Sequence, residues 1–466
     1  MKSIVVAILS SLVLILWGIE VKADPLFIVD MCVWVCMMIS AYSGIERNFL
    51  QFAFGLTFFT FLMGREFLEQ YSLYSVEKTF LPDANNHLYL CVLLGLLSFW
   101  GTFSYLNQRK HVSGKMPISL STYEATVRKY ASLGFYLTMP FALISTILVS
   151  WMVFQFGYGA RYLDIPEMMA SNPVVYICDK IGIMMSSCFC IFSSTLPEKR
   201  EFYRVGRWYL LYSFLTVFEG ARGTFLINFL VFGAMLAYIQ YRRPGEKWFE
   251  KKRYARWAII GIPVIMIASV AIKVARSGED WSKIDATEAM TDFLYQQGVS
   301  GLNIKRAYEV QSNIPKPESG FYTLEFLYSG LPARILGNKV YSGYNEEHAL
   351  KGNSMTHALA YTTMGSAYLA GQGTGSSYII ETYYDFGYLG VTLGSALYAF
   401  LLSLLIRSSK KNLFLRSLSI MIIGNILWAP RAAFTDFLQH LFAPTIMFVT
   451  AFIFLSASNT KYKLTA

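Results

Sequence analysis

The chain has 466 residues, of which 55% are hydrophobic, 16% aromatic and only 15% charged. A soluble protein of this length cannot bury so much apolar surface, so the composition excludes an ordinary water-soluble domain and predicts an integral membrane protein. The formal net charge is +10, but Lys and Arg are concentrated in short loops between apolar stretches. This distribution is typical of membrane topology and excludes nucleic acid as a partner.

Apolar stretches recur along the chain at lengths near the roughly 20 residues that a bilayer core requires of a helix. They are 3–19, 26–42, 49–63, 87–106, 131–156, 174–195, 208–221, 224–241, 257–274, 378–406, 412–428 and 440–457. The first could also be a cleaved signal peptide, but we favour a retained helix because many spans follow. The sequence thus predicts an all-α polytopic membrane protein with about 12 transmembrane helices.

The basic residues orient these helices. The loops richest in Lys and Arg are 107–129, 196–207, 242–256 and 407–416. The positive-inside rule predicts that these loops and both chain termini are cytoplasmic. The polar segment 275–377 follows the ninth stretch, so we expect a large extracytoplasmic loop, packed on a single integral membrane domain that comprises residues 1–466. Short amphipathic stretches at 286–296 and 355–369 predict helices within this loop.

Several familiar cofactor signals are missing from the sequence. All six cysteines fall within apolar stretches, which argues against disulfides and cysteine metal sites. The HExxH, zinc and Walker patterns and the GxSxG elbow do not occur. We therefore expect no metal or ATP requirement and no cofactor.

A short turn between the seventh and eighth stretches carries Glu219 and Arg222, flanked by Gly220 and Gly223. Charged side chains at membrane depth are costly unless they are paired or used. One interpretation is a mutual salt bridge that closes a tight hairpin. The other is that Arg222 points into an outward-facing cavity and holds an anion, with Glu219 positioning it.

Arginines are unusually frequent on the predicted outer side. Pro430 ends the eleventh stretch and places Arg431 at the interface, where contact with lipid headgroups could explain one arginine but explains several less well. The residues concerned are Arg65, Arg161, Arg222, Arg276, Arg306, Arg334 and Arg431. We interpret them as candidates for binding an anionic substrate.

The tenth stretch begins with Glu381 and Asp385, one helical turn apart after a glycine-rich approach. Two carboxylates at this spacing repel each other, unless a cation neutralises them or one keeps its proton. His357, in the preceding loop, is either a packed or headgroup-facing histidine or a general base.

Two segments carry a resemblance to a known family: 220–226, which reads GARGTFL, and 376–390, which reads SSYIIETYYDFGYLG. Together with the topology they make the chain similar to Wzy-type O-antigen polymerases (oligosaccharide repeat-unit polymerases) of the bacterial inner membrane. The resemblance implies a GT-C-like, metal-independent glycosyltransferase that faces the periplasm. Its substrates would be undecaprenyl-diphosphate-linked oligosaccharides in the lipid bilayer, and a chain-length regulator is left open as a further partner.

The resemblance also implies roles for the polar residues, because expelling a diphosphate requires charge stabilisation that planar guanidinium groups provide. Arg222 and Arg431 are expected to clamp the diphosphate, followed by Arg276 and Arg334. Glu381, Asp385 and His357 are unranked candidates for the base. Further substrate-binding candidates are Arg65, Arg161 and Glu219.

Two other functions share parts of this pattern. An O-antigen ligase has a similar topology and donor but transfers the finished chain to the lipid A core; the GARG hairpin favours a polymerase. A lipid-linked oligosaccharide flippase has short exported loops, which the loop 275–377 argues against.

Overall fold

The computed structural model describes residues 2–76, 78–108, 121–156, 168–169, 171–220, 222–243, 247–248, 250, 252, 286–407 and 412–465. Over these ranges all regular secondary structure is helical. This confirms the predicted fold class of an all-helical membrane protein at the level of secondary structure. The predicted span 257–274 lies outside the described residues.

The helices that the structure describes before the loop include α1 (Lys2–Glu20), α2 (Pro25–Ser43), α3 (Ile45–Phe58), α4 (Gly64–Gln70), α5 (Pro82–Gln108), α6 (Thr122–Phe156), α7 (Pro173–Ser194), α8 (Lys199–Leu215) and α9 (Arg222–Arg242). A π-helical turn, Phe59–Met63, joins α3 to α4. The helices of the loop are α10 (Ala286–Gln297), α11 (Val299–Glu309), a 3-10 helix (Tyr322–Tyr328), α12 (Gly330–Leu336), α13 (Glu346–Lys351), α14 (Met355–Met364) and α15 (Ser366–Leu369). They are followed by α16 (Tyr378–Arg407), α17 (Leu413–Met421), α18 (Ile423–Trp428), a 3-10 turn (Ala429–Arg431), α19 (Asp436–Leu441) and α20 (Pro444–Thr465).

The chain forms two compact units. The first comprises Met1–Lys110, Met290–Ile406 and Asn425–His440, and the second comprises His111–Ala289, Arg407–Gly424 and Leu441–Ala466. Most of the loop 275–377 therefore belongs to the same unit as the first five helices, and α11 contacts α4, α5 and the π turn there.

Eight helical stretches are long and apolar enough to cross a membrane, within the part of the chain that is described. They are Ser3–Glu20, Pro25–Ser43, Pro82–Asn107, Thr122–Phe156, Pro173–Ser194, Gly223–Arg242, Tyr378–Ile406 and Leu413–Arg431. The predicted stretch 49–63 falls on α3 and the π turn, 208–221 on the end of α8, and 440–457 on the shorter apolar helix Pro444–Asn459. The predicted count of about 12 is thus not reproduced by helix length and hydropathy alone.

Helix boundaries follow local signals. Asp24 accepts a hydrogen bond from the N–H of Leu26 at 2.8 Å and Pro25 is the first residue of α2, which is the usual start of a helix. In the loop, the helix predicted over 355–369 is two helices, α14 and α15. The break is at Gly365, whose φ of +54° is strained for other residues.

In the second unit, α6 and α7 pack closely at Gly182, where an added Cβ would lie 2.8 Å from the Cα of Ala142. The small residue lets the two backbones approach, as in many membrane helix pairs. One end of α7 is fixed by Arg128 of α6, which donates to the carbonyls of Thr195 and Leu196 at 2.9 and 3.0 Å.

Candidate active site

Glu381 lies in the first turn of α16 and its side chain is fully buried. Its Oε2 accepts the backbone N–H of Phe434 at 2.7 Å, and its Oε1 accepts the hydroxyl of Ser376 at 3.4 Å. Among the described residues no Lys or Arg forms an ion pair with it. Burying a carboxylate without hydrogen bonds costs free energy, and the N–H of Phe434 offsets part of this cost. The same hydrogen bond holds the segment around Phe434 against the start of α16.

Asp385 lies one turn further along α16 and uses both of its carboxylate oxygens. Its Oδ1 accepts the N–H of Tyr322 at 3.1 Å, while its Oδ2 accepts the N–H and the hydroxyl of Thr323 at 2.8 and 2.7 Å. These contacts satisfy donors at the start of the 3-10 helix Tyr322–Tyr328, in the manner of a helix cap. The structure therefore gives Asp385 a positioning contact; its predicted role as a base stays a prediction.

The helix that Asp385 caps carries a carboxylate that the sequence reading missed. Glu325 interacts electrostatically with Glu381 and Asp436, and receives hydrogen bonds from Ser354 and Gln439. Burial raises the pKa of Glu325 to about 7, and the negative charge of Asp436 adds to this effect. The signal in the sequence was a single acid within the aromatic run 321–328.

Arg431 ends the 3-10 turn that follows α18, and Pro430 within this turn ends the helix as predicted. The Arg431 Nη1 donates to the backbone oxygen and to the Oε1 of Gln297, at 3.1 and 3.2 Å. Its guanidinium carbon lies 5.8 Å from the ring centre of Phe61 and 5.9 Å from that of Trp428. Arg431 is thus held on an aromatic platform, three residues before the Phe434 N–H that Glu381 binds.

The loop 429–434 is anchored at a further point, because the hydroxyl of Tyr398 donates to the carbonyl of Phe434 at 2.7 Å. Just beyond it, Asp436 accepts the amide of Asn425 at 2.9 Å. Glu325, Glu381 and Asp436 therefore belong to one polar cluster of the first unit, which we call the carboxylate cluster, and Arg431 lies on the loop that leads to it.

Arg65 belongs to a second cluster of buried polar side chains. It closely follows the π turn Phe59–Met63, and π turns are often found at functional sites. It forms an ion pair with Glu69 at 3.0 Å and a hydrogen bond with the hydroxyl of Tyr295. Beside it, Lys305 forms an ion pair with Glu66 at 2.6 Å, and both side chains are almost completely buried. Lys305 and Glu66 were not singled out from the sequence, because 239 positions separate them.

His357 lies within the aromatic packing of the loop. Its Nδ1 is 2.9 Å from the Tyr368 hydroxyl, and its ring stacks on His348 with centroids 3.8 Å apart. Burial, together with the charge of His348, lowers the pKa of His357 to about 4. None of its contacts among the described residues is with Glu325, Glu381 or Asp385, so its surroundings are those of a packed, neutral histidine.

The remaining predicted residues lie elsewhere or are not described. Arg334 is exposed on the short helix α12, beside Ile335, which is 75% exposed. Glu219 lies in the turn before α9, where Gly220 has a φ of +81°. Arg222 begins α9, but its side chain is outside the described residues, as are Arg161 and Arg276. A shared anion site formed by Arg222 and Arg431 therefore stays a prediction.

Comparison with known proteins identifies the family of the chain. Neither a curated protein nor a solved structure matches the chain. The family model for the O-antigen polysaccharide polymerase Wzy matches residues 2–463, nearly the whole chain. This match confirms the resemblance inferred from the GARG hairpin and the start of α16, and the chain belongs to the O-antigen polysaccharide polymerase Wzy family.

Proposed function

We propose that the chain joins undecaprenyl-diphosphate-linked oligosaccharide repeat units by glycosyl transfer at the periplasmic face of the inner membrane. Family membership supports an O-antigen polymerase in general. The apolar helices support a location in the membrane. The lipid carrier, the periplasmic orientation with both termini cytoplasmic, the GT-C-like architecture and the independence from metal ions are parts of this proposal.

The chemistry requires one bond to form and one to break. A hydroxyl oxygen of the acceptor sugar attacks the anomeric carbon of the donor, and the bond between that carbon and the diphosphate oxygen breaks. The acceptor's proton passes to a carboxylate base, and the negative charge leaves on the undecaprenyl diphosphate. Guanidinium groups can stabilise that charge because they present several donors in a planar fork.

One observation carries the placement of the site: Glu381 binds the N–H of Phe434 at 2.7 Å and so fixes the loop that begins at Arg431. This contact ties the start of α16 to the guanidinium that we assign to the diphosphate. Arg222 is the proposed second clamp, and Arg276 and Arg334 are proposed further contacts to the substrate.

We assign the base to Glu325. Backbone N–H groups hold the carboxylates of Glu381 and Asp385 in place, those of Phe434, Tyr322 and Thr323, whereas the hydrogen bonds that Glu325 accepts come from the side chains of Ser354 and Gln439. Burial raises the pKa of Glu325 to about 7, which is close to the optimum for a general base at neutral pH. In this assignment Glu381 positions the Arg431 loop and Asp385 positions the helix that carries Glu325.

The proposal is tested with purified protein and lipid-linked repeat units in lipid nanodiscs. We expect products longer than one repeat unit, formed equally well in the presence of a metal chelator. Products that require a divalent cation would contradict metal independence alone. Transfer to lipid A core, without extension of the lipid-linked repeat, would contradict the polymerase assignment and indicate a ligase.

A further inference from the structure

A cavity of about 360 Å³ lies along a face of α16 that adjoins the face carrying Glu381 and Asp385. Its walls come from the first turns of α5, from α11 with the segment after it, and from α16, all within the first unit. We propose that this cavity is a subsite for a pyranose ring of the oligosaccharide substrate. The inference rests on the proposed function, because it assigns part of that substrate to a place beside the carboxylate cluster.

Aromatic rings form part of the walls and pack against one another. His87 stacks on Tyr308 with ring centroids 4.4 Å apart, and Tyr383 meets His87 edge-on at 4.2 Å. The Nδ1 of His87 is also 3.1 Å from the hydroxyl of Tyr388. Such rings can stack against the C–H face of a sugar, and their fixed positions lower the entropy cost of binding.

Polar groups at the mouth complete the chemistry that a sugar requires. Gln311, Ser312 and Lys316 are exposed and line the cavity. They can bond to sugar hydroxyls, while the rings cover the apolar face. The combination of apolar and aromatic walls with a few polar groups is typical of small-ligand pockets, and the volume is near the lower end of their range of about 300–1,000 Å³. It suits a short saccharide.

Gly387 is a second, independent indication of a site. It lies in the wall of the cavity and interrupts α16 with a φ of +61° and a ψ of −154°, a conformation that is essentially restricted to glycine. A Cβ added there would meet nothing within 4 Å. Packing therefore does not require glycine at this position, whereas the backbone conformation does.

The position of the cavity relates it to the reaction. Ile380, Tyr384 and Gly387 line it at intervals of three or four residues along α16, while Glu381 and Asp385 occupy the adjacent face. At about 1.5 Å of rise per residue, the lining rings lie within one or two turns of the carboxylates. A sugar held there would place the neighbouring residue of the same glycan near the carboxylate cluster.

Direct binding tests the inference without relying on turnover. The probe is the repeat-unit oligosaccharide released from its lipid by mild acid, titrated by calorimetry into the full chain in nanodiscs. Tyr308→Leu should raise its Kd about tenfold, because the stacking ring is lost, and Tyr308→Phe should stay within about threefold of the native protein. Tyr176→Leu, which removes an exposed ring outside the cavity, should leave the Kd unchanged.

Equal Kd values for Tyr308→Leu and the native protein would overturn the inference. Displacement of the oligosaccharide by undecaprenyl phosphate, which has no sugar, would overturn it too and assign the cavity to the lipid chain. If Tyr308→Leu does not give a monodisperse protein, the exposed variant Gln311→Ala decides: an unchanged Kd rejects the subsite. Because native polymerisation is measured separately, its failure would reject the proposed function, whereas unchanged binding in the variants would reject only the subsite.

Discussion

The backbone N–H of Phe434 donates to the Oε2 of Glu381 at 2.7 Å, across 53 positions of sequence. Through this bond a fully buried carboxylate at the start of α16 sets the position of the loop that contains Arg431. The loop therefore depends on the hydrogen-bonding capacity of Glu381 more directly than on its charge.

The variant Glu381→Gln separates the hydrogen-bonding capacity of this side chain from its charge. The amide oxygen can still accept the Phe434 N–H, so we expect polymerisation within about fivefold of the native rate, whereas loss of a general base costs about 10²–10⁴-fold. Glu381→Ala leaves the buried N–H unpaired and should lower the free energy of unfolding by about 1–3 kcal/mol. Chain-length ladders and thermal unfolding in detergent measure both effects. A Gln variant as inactive as a base-deletion mutant would move the base from Glu325 to Glu381.

Glu325→Gln should reduce the rate about 10²–10⁴-fold if Glu325 is the base. In the native protein the rate should fall as the pH drops below about 7, because protonation removes the base. Glu347→Gln, which changes an exposed acid of the same loop, should not alter the rate. A native profile that is flat between pH 5 and 8 would contradict the assignment.

Protonation of Glu325 also changes the free energy of unfolding, in a direction that follows from its raised pKa. The pKa of Glu325 is higher in the folded protein, about 7, than the ordinary 4.5 of a glutamate, so the folded state binds the proton more tightly. The contribution of Glu325 to stability is therefore fully present below about pH 4.5 and is lost as the pH rises towards 7. Unfolding curves of the native protein should show this decrease and those of Glu325→Gln should lack it; parallel curves would contradict the raised pKa.

Asp385→Ala should act through the helix that carries Glu325. Removing the cap from Tyr322 and Thr323 costs about 0.5–2 kcal/mol and should also reduce the rate, since Glu325 loses its position. Thr323→Val removes only the hydroxyl bond and should have a smaller effect on both quantities. Full activity of a folded Asp385→Ala protein would show that the cap does not position the base.

Lys305→Met tests the buried ion pair with Glu66. An uncompensated carboxylate should lower the free energy of unfolding by about 3–5 kcal/mol, and the double variant Lys305→Met/Glu66→Leu should recover most of this loss. Lys339→Met breaks the exposed pair with Glu347 and should cost less than about 1 kcal/mol. If Lys305→Met and Lys339→Met lower the free energy of unfolding equally, the Lys305–Glu66 ion pair is not buried as described.

The parts of this protein that could be predicted from its sequence are those determined by local pattern. Hydropathy located α1, α2 and α5, and Pro430 correctly marked the end of α18. Hydropathy did not reveal that the stretch 49–63 continues through a π turn into α4, because α4 contains Arg65, Glu66 and Glu69.

The contacts of the site could not be predicted because their partners are distant in sequence. The interactions of Glu325 with Ser354 and Gln439, and of Arg65 with Tyr295, depend on how the loop folds. The sequence identified Glu381 and Asp385 as two carboxylates that repel each other, and the structure shows which hydrogen bonds each of them accepts. The sequence could not show that Asp385 caps the helix that carries a third carboxylate, Glu325.

Arg431→Lys is the most direct test of the central claim that a guanidinium at this position stabilises the leaving diphosphate. Lysine keeps the charge but lacks the planar fork, so polymerisation on lipid-linked repeats should fall at least about 100-fold, while expression stays normal and the lost contacts to Gln297 lower the free energy of unfolding by no more than about 2 kcal/mol. Arg207→Lys, at an exposed position of α8, should retain full activity. A native ladder from the Arg431→Lys protein would contradict the account.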